Sequence, residues 1–527
     1  MVSSKPWSTS IPMSLLVSLI KHHAGDLRVF SLNTQRPQVT PGVARVPLEI
    51  IIEVAEKLSS PEDILSLSLT SSSVYATLLP VLYASVDLRS SRMCRNVIEM
   101  LVDGRSDVTR YLRKLVVRPN HVDRRTPQPV KPIDEAWVVQ SLIILATSGR
   151  LSRLTTFFWD GSEVPQDDSL WSTLRACCPN LRSIGSNVGP KSINPDSELF
   201  RFNDLAGFSL TAKTLPDEWD TFLPPEPELP DQLWQMLIVR SPRLEQLRID
   251  VSQRSRRVWD TRRVVDGRWP QLRDLELGDC SMAGNGSSRI YMETPFMRFL
   301  ALHPALERLR LPSLSSFPRA IILPPSSLPN LREFCGNPAH IKGLPNLPHI
   351  RTVTLVHQPL SEKTVSLVCG TLKHMRSLTS LSIWLHLDAQ SDHYAVFRNL
   401  FDSCRGLKSL DIACSEAPWE MQEFISALRG SRIELTNLTL TRVERAASEP
   451  DLRKIATQLA AKNPSLWKLS LRYSFTTWVF LDSIPYVKVG NFVVKDRSKQ
   501  GSPVVVLEKT AKCSRYRRLS FQLSRWI

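Results

Sequence analysis

The sequence contains few of the short motifs that mark the active site of an enzyme. Its 527 residues include 19 glycines, ten histidines and nine cysteines. None of these forms a phosphate-binding loop, an HExxH or Gly-x-Ser-x-Gly motif, or a Cys-x-x-Cys pair. We therefore expect a protein that is not an enzyme, that holds no metal or cofactor, and that works in a reducing compartment, the cytoplasm or the nucleus.

Long apolar runs are also missing. The run Ile11–Ile20 is similar to the apolar part of a signal peptide, but it is only ten residues long and no clear cleavage site follows it. A membrane-spanning helix needs ~20 apolar residues. We expect neither secretion nor a membrane partner.

The charge of the chain leaves two kinds of partner open. Hydrophobic residues make up 42% of the sequence and charged residues 22%, which is typical of a globular protein. The net charge of +16 allows an acidic protein partner or a nucleic acid. Because the basic runs at Arg254–Arg263 and near the C-terminus suit solvated segments, we do not expect a nucleic-acid partner.

The stretch from Val46 to Tyr83 predicts three short helices. Pro47 suits a first helical position, and Glu49 places a negative charge where the helix dipole favours it. Pro61 starts the second helix, and Pro80 is expected to end the third. The stretch holds more large apolar side chains than about forty residues can bury among themselves. A neighbouring domain or a partner protein must cover the remainder.

This stretch resembles the F-box. The matching positions are Val46, Pro47, Glu49, Ile50, Leu58, Pro61, Asp63, Leu67, Ser68 and Leu69. The third helix departs from the pattern, because Ser71–Tyr75 stands where many F-boxes have a Cys-x-x-Trp-like segment. The resemblance implies an N-terminal three-helix F-box that docks on a Skp-type adaptor of a cullin scaffold. A helical hairpin that ends a solenoid is the alternative.

The first of these helices is expected to supply most of the adaptor contact, because its apolar surface exceeds what its own bundle can cover. The residues that we assign to adaptor binding are Pro47, Ile50, Ile51, Val54, Leu58 and Leu65.

After this stretch the chain repeats the phrase Leu-x-x-Leu-x-Leu, usually after a helical segment and a turn. The last four repeats begin at Leu378, Leu407, Leu435 and Leu466, with spacings of 29, 28 and 31 residues. A helix, a turn and a strand form one coil of a leucine-rich-repeat solenoid, and stacked coils share one core. The predicted fold class is α/β, with the F-box followed by an irregular leucine-rich-repeat solenoid.

The repeats are irregular. The Asn or Cys expected eight residues after the first Leu occurs only as Asn120 and Cys280. Proline-rich stretches that we interpret as surface connections interrupt the pattern at Thr126–Pro132, Pro216–Pro230 and Pro312–Pro329. The predicted domains are an irregular extension at 1–43, the F-box-like domain at 44–90, the solenoid at 91–483, and a C-terminal hairpin with a basic tail at 484–527.

Parallel strands in register align equal positions of successive repeats. This predicts two rows of side chains, one of Gln246, Asp274 and Arg308 and one of Arg248, Glu276 and Arg310. Since opposite charges alternate along both rows, we expect them to neutralise one another.

The final four repeats differ, because their outward positions are mostly small and uncharged. Trp384 is expected to face water there, and Trp and Arg dominate interface energetics. We predict a target-binding site formed by Trp384, Asp411, Lys468 and Arg472. The alternative is that Trp384 packs under the chain's own C-terminal tail.

The combination is similar to divergent fungal F-box proteins with degenerate repeats. It implies the substrate-recognition subunit of an SCF-type cullin-RING E3 ubiquitin ligase, in which other subunits carry the transfer chemistry and the solenoid selects an unknown protein substrate. A leucine-rich-repeat scaffold or a basic nucleic-acid-associated protein that acts outside a ligase stays open.

Overall fold

The structure is a computed structural model. It describes residues 46–58, 61–104, 107–120, 132–189, 192–212, 229–251, 259–278, 280–281, 290–311, 321–388, 390–416, 421–443, 452–474, 486–497 and 503–512. The predicted extension at 1–43, the tail beyond 512 and most of the proline-rich and basic stretches lie outside these residues. In the described part of the chain, no helix has the length and apolar character needed to cross a membrane.

The chain divides into two compact units. The first comprises residues 1–123, 129–244 and 251–257, and the second comprises 124–128, 245–250 and 258–527. This division does not test the four predicted domain boundaries, which stay predictions.

Three helices open the described part of the first unit. They are α1 (Leu48–Lys57), α2 (Pro61–Ser68) and α3 (Ser72–Leu82). Both α1 and α2 pack on α3. The Ser71 hydroxyl caps α3 by accepting a hydrogen bond from the Val74 N–H at 3.2 Å. The expected end of α3 at Pro80 is wrong, because the helix continues to Leu82. Burial of Leu78 and Leu82 keeps this turn helical although proline removes one backbone donor.

A parallel sheet with flanking helices follows in the first unit. Its elements are β1 (Ser85–Leu88), α4 (Ser91–Asp103), β2 (Lys114–Val117), α5 (Glu135–Thr147), β3 (Thr156–Trp159), α6 (Ser169–Cys177), β4 (Ser183–Asn187), β5 (Gly207–Ala212) and α7 (Asp231–Trp234), which a π-helical turn over Gln235–Val239 extends. The five strands lie in chain order, each parallel to the one before it. Because the chain always advances in one direction, this is the connectivity of a repeat solenoid rather than of a doubly wound sheet.

The second unit continues the same architecture. Its elements are β6 (Gln246–Val251), β7 (Trp259–Asp260), β8 (Asp274–Leu277), β9 (Cys280–Ser281), α8 (Ile290–Ala301), β10 (Arg308–Arg310), β11 (Glu333–Cys335), α9 (Pro338–Ile341), β12 (Thr352–Leu360), α10 (Glu362–Leu372), β13 (Ser380–Leu387), α11 (His393–Ser403), β14 (Ser409–Glu416), α12 (Met421–Gly430), β15 (Asn437–Val443), α13 (Leu452–Lys462), β16 (Lys468–Ser474), β17 (Tyr486–Arg497) and β18 (Pro503–Lys512).

The main sheet of the second unit has the order β6-β8-β10-β11-β12-β13-β14-β15-β16-β17-β18. All its pairs are parallel up to β16, and the β17–β18 hairpin is then added antiparallel to β16. The two short strands β7 and β9 pair separately. The leucine positions of the repeats are buried, as for Leu381, Leu410 and Leu438. The mixed α/β architecture with a large parallel sheet is therefore consistent with the predicted repeat solenoid.

One backbone interaction repeats at the start of nearly every strand. The residue after the first apolar residue of each phrase, which we call the lead residue, offers its carbonyl to two N–H groups of the next coil. Thus the Arg351 carbonyl accepts from Thr379 at 2.9 Å and from Ser380 at 3.0 Å, and the Thr379 carbonyl accepts from Lys408 and Ser409, both at 2.8 Å. The lead residues of the second unit are Glu245, Arg273, Glu307, Arg332, Arg351, Thr379, Lys408, Thr436 and Trp467. At the last lead residue, Trp467, the carbonyl accepts instead from the Val494 N–H of the antiparallel hairpin at 3.0 Å.

The two positions that carry the Asn or Cys expected in the repeat, Asn120 and Cys280, form polar contacts. The Asn120 amide donates to the carboxylate of Glu135 at 2.9 Å and to the Ile133 carbonyl at 3.1 Å. Its oxygen accepts from the Ile133 N–H at 2.9 Å. The Cys280 thiol donates to the Ile249 carbonyl at 3.4 Å. Both side chains therefore tie neighbouring backbone segments together.

The two predicted charge rows are confirmed. The register aligns Gln246, Asp274 and Arg308 in one row and Arg248, Glu276 and Arg310 in the other. The Arg308 guanidinium lies 2.8 Å from the Asp274 carboxylate. Glu276 accepts from both sides, with Arg310 at 2.9 Å and Arg248 at 3.3 Å. These charges neutralise one another across the strands, so they serve the sheet itself.

Reversing the charge of Glu276 should lower the stability of the protein more than removing an exposed ion pair does. Glu276→Lys would set a third cation between Arg248 and Arg310 at a largely buried position, so we expect about 2 kcal/mol of destabilisation. The matched control is Arg273→Ala, which removes an exposed ion pair with Glu307 at 3.6 Å and should cost less than about 0.5 kcal/mol. Urea unfolding of the full chain measures both. Equal losses for the two variants would contradict the account of the row.

Candidate functional site

An apolar face lies open on helix α1. Four exposed aliphatic side chains, which we call the α1 face, lie on α1 or just before it: Val46, Leu48, Ile50 and Val54, each at least 40% exposed. By contrast, Ile51 is 5% exposed and Ala55 is fully buried. The helical period places Ile50 and Val54 on one side of α1 and Ile51 and Ala55 on the other, because residues three and four apart share a face. Leu48 is exposed in the first turn, although it lies on the side of Ile51. The bundle therefore uses only half of the apolar surface of α1.

A shallow depression adjoins this face. It is lined by Ile50, Glu53, Val54, Lys57 and Leu58. Three aliphatic side chains thus lie beside an acid and a base that are one helical turn apart. Such a surface suits an apolar side chain of a partner with polar groups at its rim.

The structure separates the six predicted adaptor-binding residues into two groups. Pro47, Ile50 and Val54 are exposed and Leu58 is half-buried, so these four are accessible to a partner. Ile51 and Leu65 are core residues of the three-helix bundle, at 5% and 3% exposure. The contact of any of them with an adaptor stays a prediction, but Ile51 and Leu65 would act by holding the bundle together.

In the second unit, the register of the last four repeats is as predicted. Rows run through Ser380, Ser409, Asn437 and Lys468, through Ser382, Asp411, Thr439 and Ser470, and through Trp384, Ala413, Thr441 and Arg472. The four predicted target-binding residues therefore share one face of the sheet. They do not form one cluster, because Trp384 and Arg472 lie three strands apart.

Trp384 does not face water, so this expectation is wrong. Its side chain is 5% exposed. The pairing of β12 with β13 shifts beside it, since Leu355 pairs with Ile383 and Leu360 with Leu385. Four residues of β12 thus lie opposite Trp384 alone. A bulge of this kind is invisible to the repeat pattern, which counts positions within one strand.

The carboxylate charge of Asp411 is largely buried, and the nearby positive charge of Arg472 compensates it only in part. One oxygen of its carboxylate is buried and has no hydrogen-bond partner among the described residues. Burial raises the pKa of this carboxyl, and the positive charge of Arg472 opposes that shift only in part. Arg472 itself donates to the Ser470 hydroxyl at 3.2 Å, which donates to the Asn491 side chain at 2.8 Å.

Lys468 lies at the beginning of β16, apart from the other three predicted residues. Its ammonium is 5.8 Å from the centre of the Trp467 ring. Trp467 is 58% exposed, and sequence reasoning did not single it out. Trp467 stands at the first x of the phrase Leu-x-x-Leu-x-Leu, a position for which the phrase specifies no residue type. Its place on the surface becomes evident only when the lead residues of successive coils are compared.

No cluster of side chains in the described residues could hold a metal ion. The described cysteines are thiols rather than disulfides, and burial raises the pKa of the Cys94, Cys178 and Cys404 thiols to about 12. At neutral pH these thiols are protonated and poor nucleophiles.

Comparisons with known proteins give little further information. No family model and no curated protein matches the chain. Among solved structures, the chain is similar to one described as "Crystal structure of Rad7 and Elc1 complex in yeast", with a TM-score of 0.37 and 13% identity. The match covers 87% of this chain and 92% of the other. This similarity is too weak to assign a fold or a function.

Neutralising Asp411 should not harm the fold. A carboxyl whose pKa is raised by folding destabilises the native state while it is ionised. That cost is full above the folded pKa and vanishes as the pH falls below the ordinary value. We expect Asp411→Asn to be as stable as the native chain at pH 7 or up to about 1 kcal/mol more stable, with the difference narrowing towards about pH 4.

The control for this prediction is Asp402→Asn, which removes an exposed ion pair with Arg398 at 2.9 Å. It should leave stability unchanged or slightly lower. Thermal unfolding between pH 4 and pH 7 measures both variants. A clear loss of stability from Asp411→Asn at pH 7 would show that the carboxylate has a stabilising partner.

Proposed function

We propose that this chain is the substrate-recognition subunit of an SCF-type cullin-RING E3 ubiquitin ligase. In this proposal, residues 46–83 bind a Skp-type adaptor, and coils of the solenoid bind the protein to be ubiquitinated. The observation that supports the adaptor part is the α1 face, four aliphatic side chains exposed at one end of a bundle whose sequence resembles the F-box.

The size of this face suits a protein partner. Complete burial of a large aliphatic side chain contributes roughly 1.5–3 kcal/mol. Since these four are already about half-covered, their burial by a partner would contribute about 1 kcal/mol each. The total, about 4 kcal/mol, is large enough to direct binding of a partner. A contiguous exposed apolar patch is also typical of a protein interaction site.

The kinds of residue on the described surfaces support a division of labour between this chain and the other subunits of the ligase. The described surfaces offer apolar contacts and charges, and the described cysteines are mostly buried thiols. We therefore assign ubiquitin transfer to other subunits of the complex and target selection to this chain, with no catalytic residue and no cofactor of its own.

Two acidic substitutions on the α1 face provide the test. Ile50→Asp with Val54→Asp should reduce the capture of a co-expressed Skp-type adaptor by more than about tenfold, because two desolvated carboxylates would replace apolar contacts. Both residues are 47% exposed, so the bundle should stay folded. The readout is the amount of adaptor that co-purifies with the tagged full chain.

The matched control places the same change on exposed aliphatic side chains of other helices, Ile144→Asp with Leu367→Asp. This variant should capture adaptor normally. By contrast, Ile51→Asp should unfold the bundle, which a lower melting temperature would show. Undiminished capture by the soluble Ile50/Val54 variant would contradict the proposal, and purification without adaptor or cullin would favour the scaffold alternative.

A further inference from the structure

The lead residues of the second unit form a column whose charges change along the sheet. The first three, Glu245, Arg273 and Glu307, alternate in sign, and Arg273 lies 3.6 Å from Glu307. Each lead residue is hydrogen-bonded through its backbone to the next, so their Cα atoms are spaced at about the 4.8 Å separation of neighbouring strands. This part of the column alternates in sign, with two acids and one base, and Glu307 is the direct neighbour of the next lead residue, Arg332.

The rest of the column does not alternate in sign. Its lead residues are Arg332, Arg351, Thr379, Lys408, Thr436 and Trp467. Arg332 and Arg351 are direct neighbours, with the Arg351 N–H 2.7 Å from the Arg332 carbonyl. Both side chains are exposed, and neither forms an ion pair within the described residues. Lys408 has one exposed partner, Glu434, at 3.3 Å.

Two further cations lie in the turns that lead into these strands. Arg376 and Arg405 hold the same position in successive coils, two residues before the first leucine, and both are exposed. A Cβ at Gly406 would lie 3.3 Å from the Leu378 carbonyl, so the second turn is stacked on the first. With the lead residues they form what we call the basic edge: Arg332, Arg351, Arg376, Arg405 and Lys408.

Helix dipoles explain only part of this charge. Arg376 and Arg405 follow the C-termini of α10 and α11, where a cation is favourable. Arg332 follows no such helix, and Arg351 follows only a short 3₁₀ turn over Leu347–His349. Two like charges on neighbouring strands repel each other even in water. The basic edge is therefore not required by the fold.

An exposed aromatic side chain lies at the end of the column. Trp467 is two strands beyond Lys408, and its ring is near the Lys468 ammonium. From Arg332 to Trp467 the column crosses five strand intervals, about 24 Å. An extended peptide of about seven residues covers this distance. Trp is also the residue type that most often dominates an interface.

We propose that the basic edge, together with Trp467, binds an acidic polypeptide segment that carries an apolar residue near one end. Its carboxylates pair with Arg332, Arg351 and Lys408, and its apolar side chain packs on Trp467. The identification of this segment as part of the ligase target rests on the proposed function. The binding of an acidic segment to the basic edge does not. A nucleic acid fits less well, because one exposed ring does not stack successive bases and Glu333 and Glu434 lie on the same edge.

The test uses the full chain and a fluorescein-labelled peptide of about ten Glu and Ser residues with one Leu near its end. Fluorescence anisotropy should show binding that weakens as salt rises from low to physiological concentration. Arg351→Glu with Lys408→Glu should weaken it about tenfold, because two attractions become repulsions. Trp467→Ala should weaken it about fivefold if the Leu packs there, and replacing the Leu with Ser should remove that difference.

The matched control is Arg92→Glu with Arg95→Glu, two exposed residues of α4 whose reversal changes the net charge equally. It should bind the peptide normally. An equal loss in this control would overturn the proposal in favour of non-specific attraction by the net charge. Tighter binding of a deoxythymidine oligonucleotide, abolished by the Arg351/Lys408 change, would overturn it in favour of nucleic acid.

Adaptor capture separates this proposal from the ligase assignment. The Arg351/Lys408 variant should capture adaptor as the native chain does, and an unchanged thermal unfolding midpoint should show that its second unit is folded. Peptide binding by a chain that captures no adaptor would support the basic edge and remove the ligase. Adaptor capture without peptide binding would do the reverse.

Discussion

The strand register is the constraint on which the rest of this structure depends. From Glu245 to Thr436, each lead-residue carbonyl accepts hydrogen bonds from two consecutive N–H groups of the next coil, and this fixes how one coil meets another. A slip by one residue would turn every leucine of a strand from the core to the opposite face. The apolar phrase and the backbone pairing therefore enforce the same alignment. Once it is set, every side-chain position becomes a column that runs across the sheet.

This constraint explains which features could be predicted from the sequence. The rows around Asp274 and Glu276 and those of the last four repeats follow from counting positions in the phrase, and all of them are present. The burial of Trp384 does not follow from this count, and the pairing of β12 with β13 is irregular at this position. Counting works where every coil has the same length and fails where one coil bulges.

The helical bundle was harder to predict in detail. The run Ile50-Ile51-Ile52 shows that α1 is apolar nearly all round, but not which side its own bundle covers. Only the packing on α3 decides that Ile51 is inside and Ile50 is outside. Pro80 is a similar case, since burial of the next turn outweighs the local preference of proline for a helix end. In both cases tertiary contacts, which have no local signature, select among arrangements that the sequence allows.

Charge placement separates what the fold needs from what it tolerates. On the strands around Glu276, acids and bases alternate and lie within 3.3 Å of one another, so the sheet itself accounts for them. On the later lead residues the backbone geometry is the same, yet like charges are neighbours and the last member is an exposed Trp. Because the backbone geometry of the lead residues is the same in both parts of the column, that geometry does not account for the difference in their charges. Neighbouring like charges slightly lower the stability of the free protein. An acidic ligand that binds to them would neutralise these charges and would also stabilise the native state by mass action.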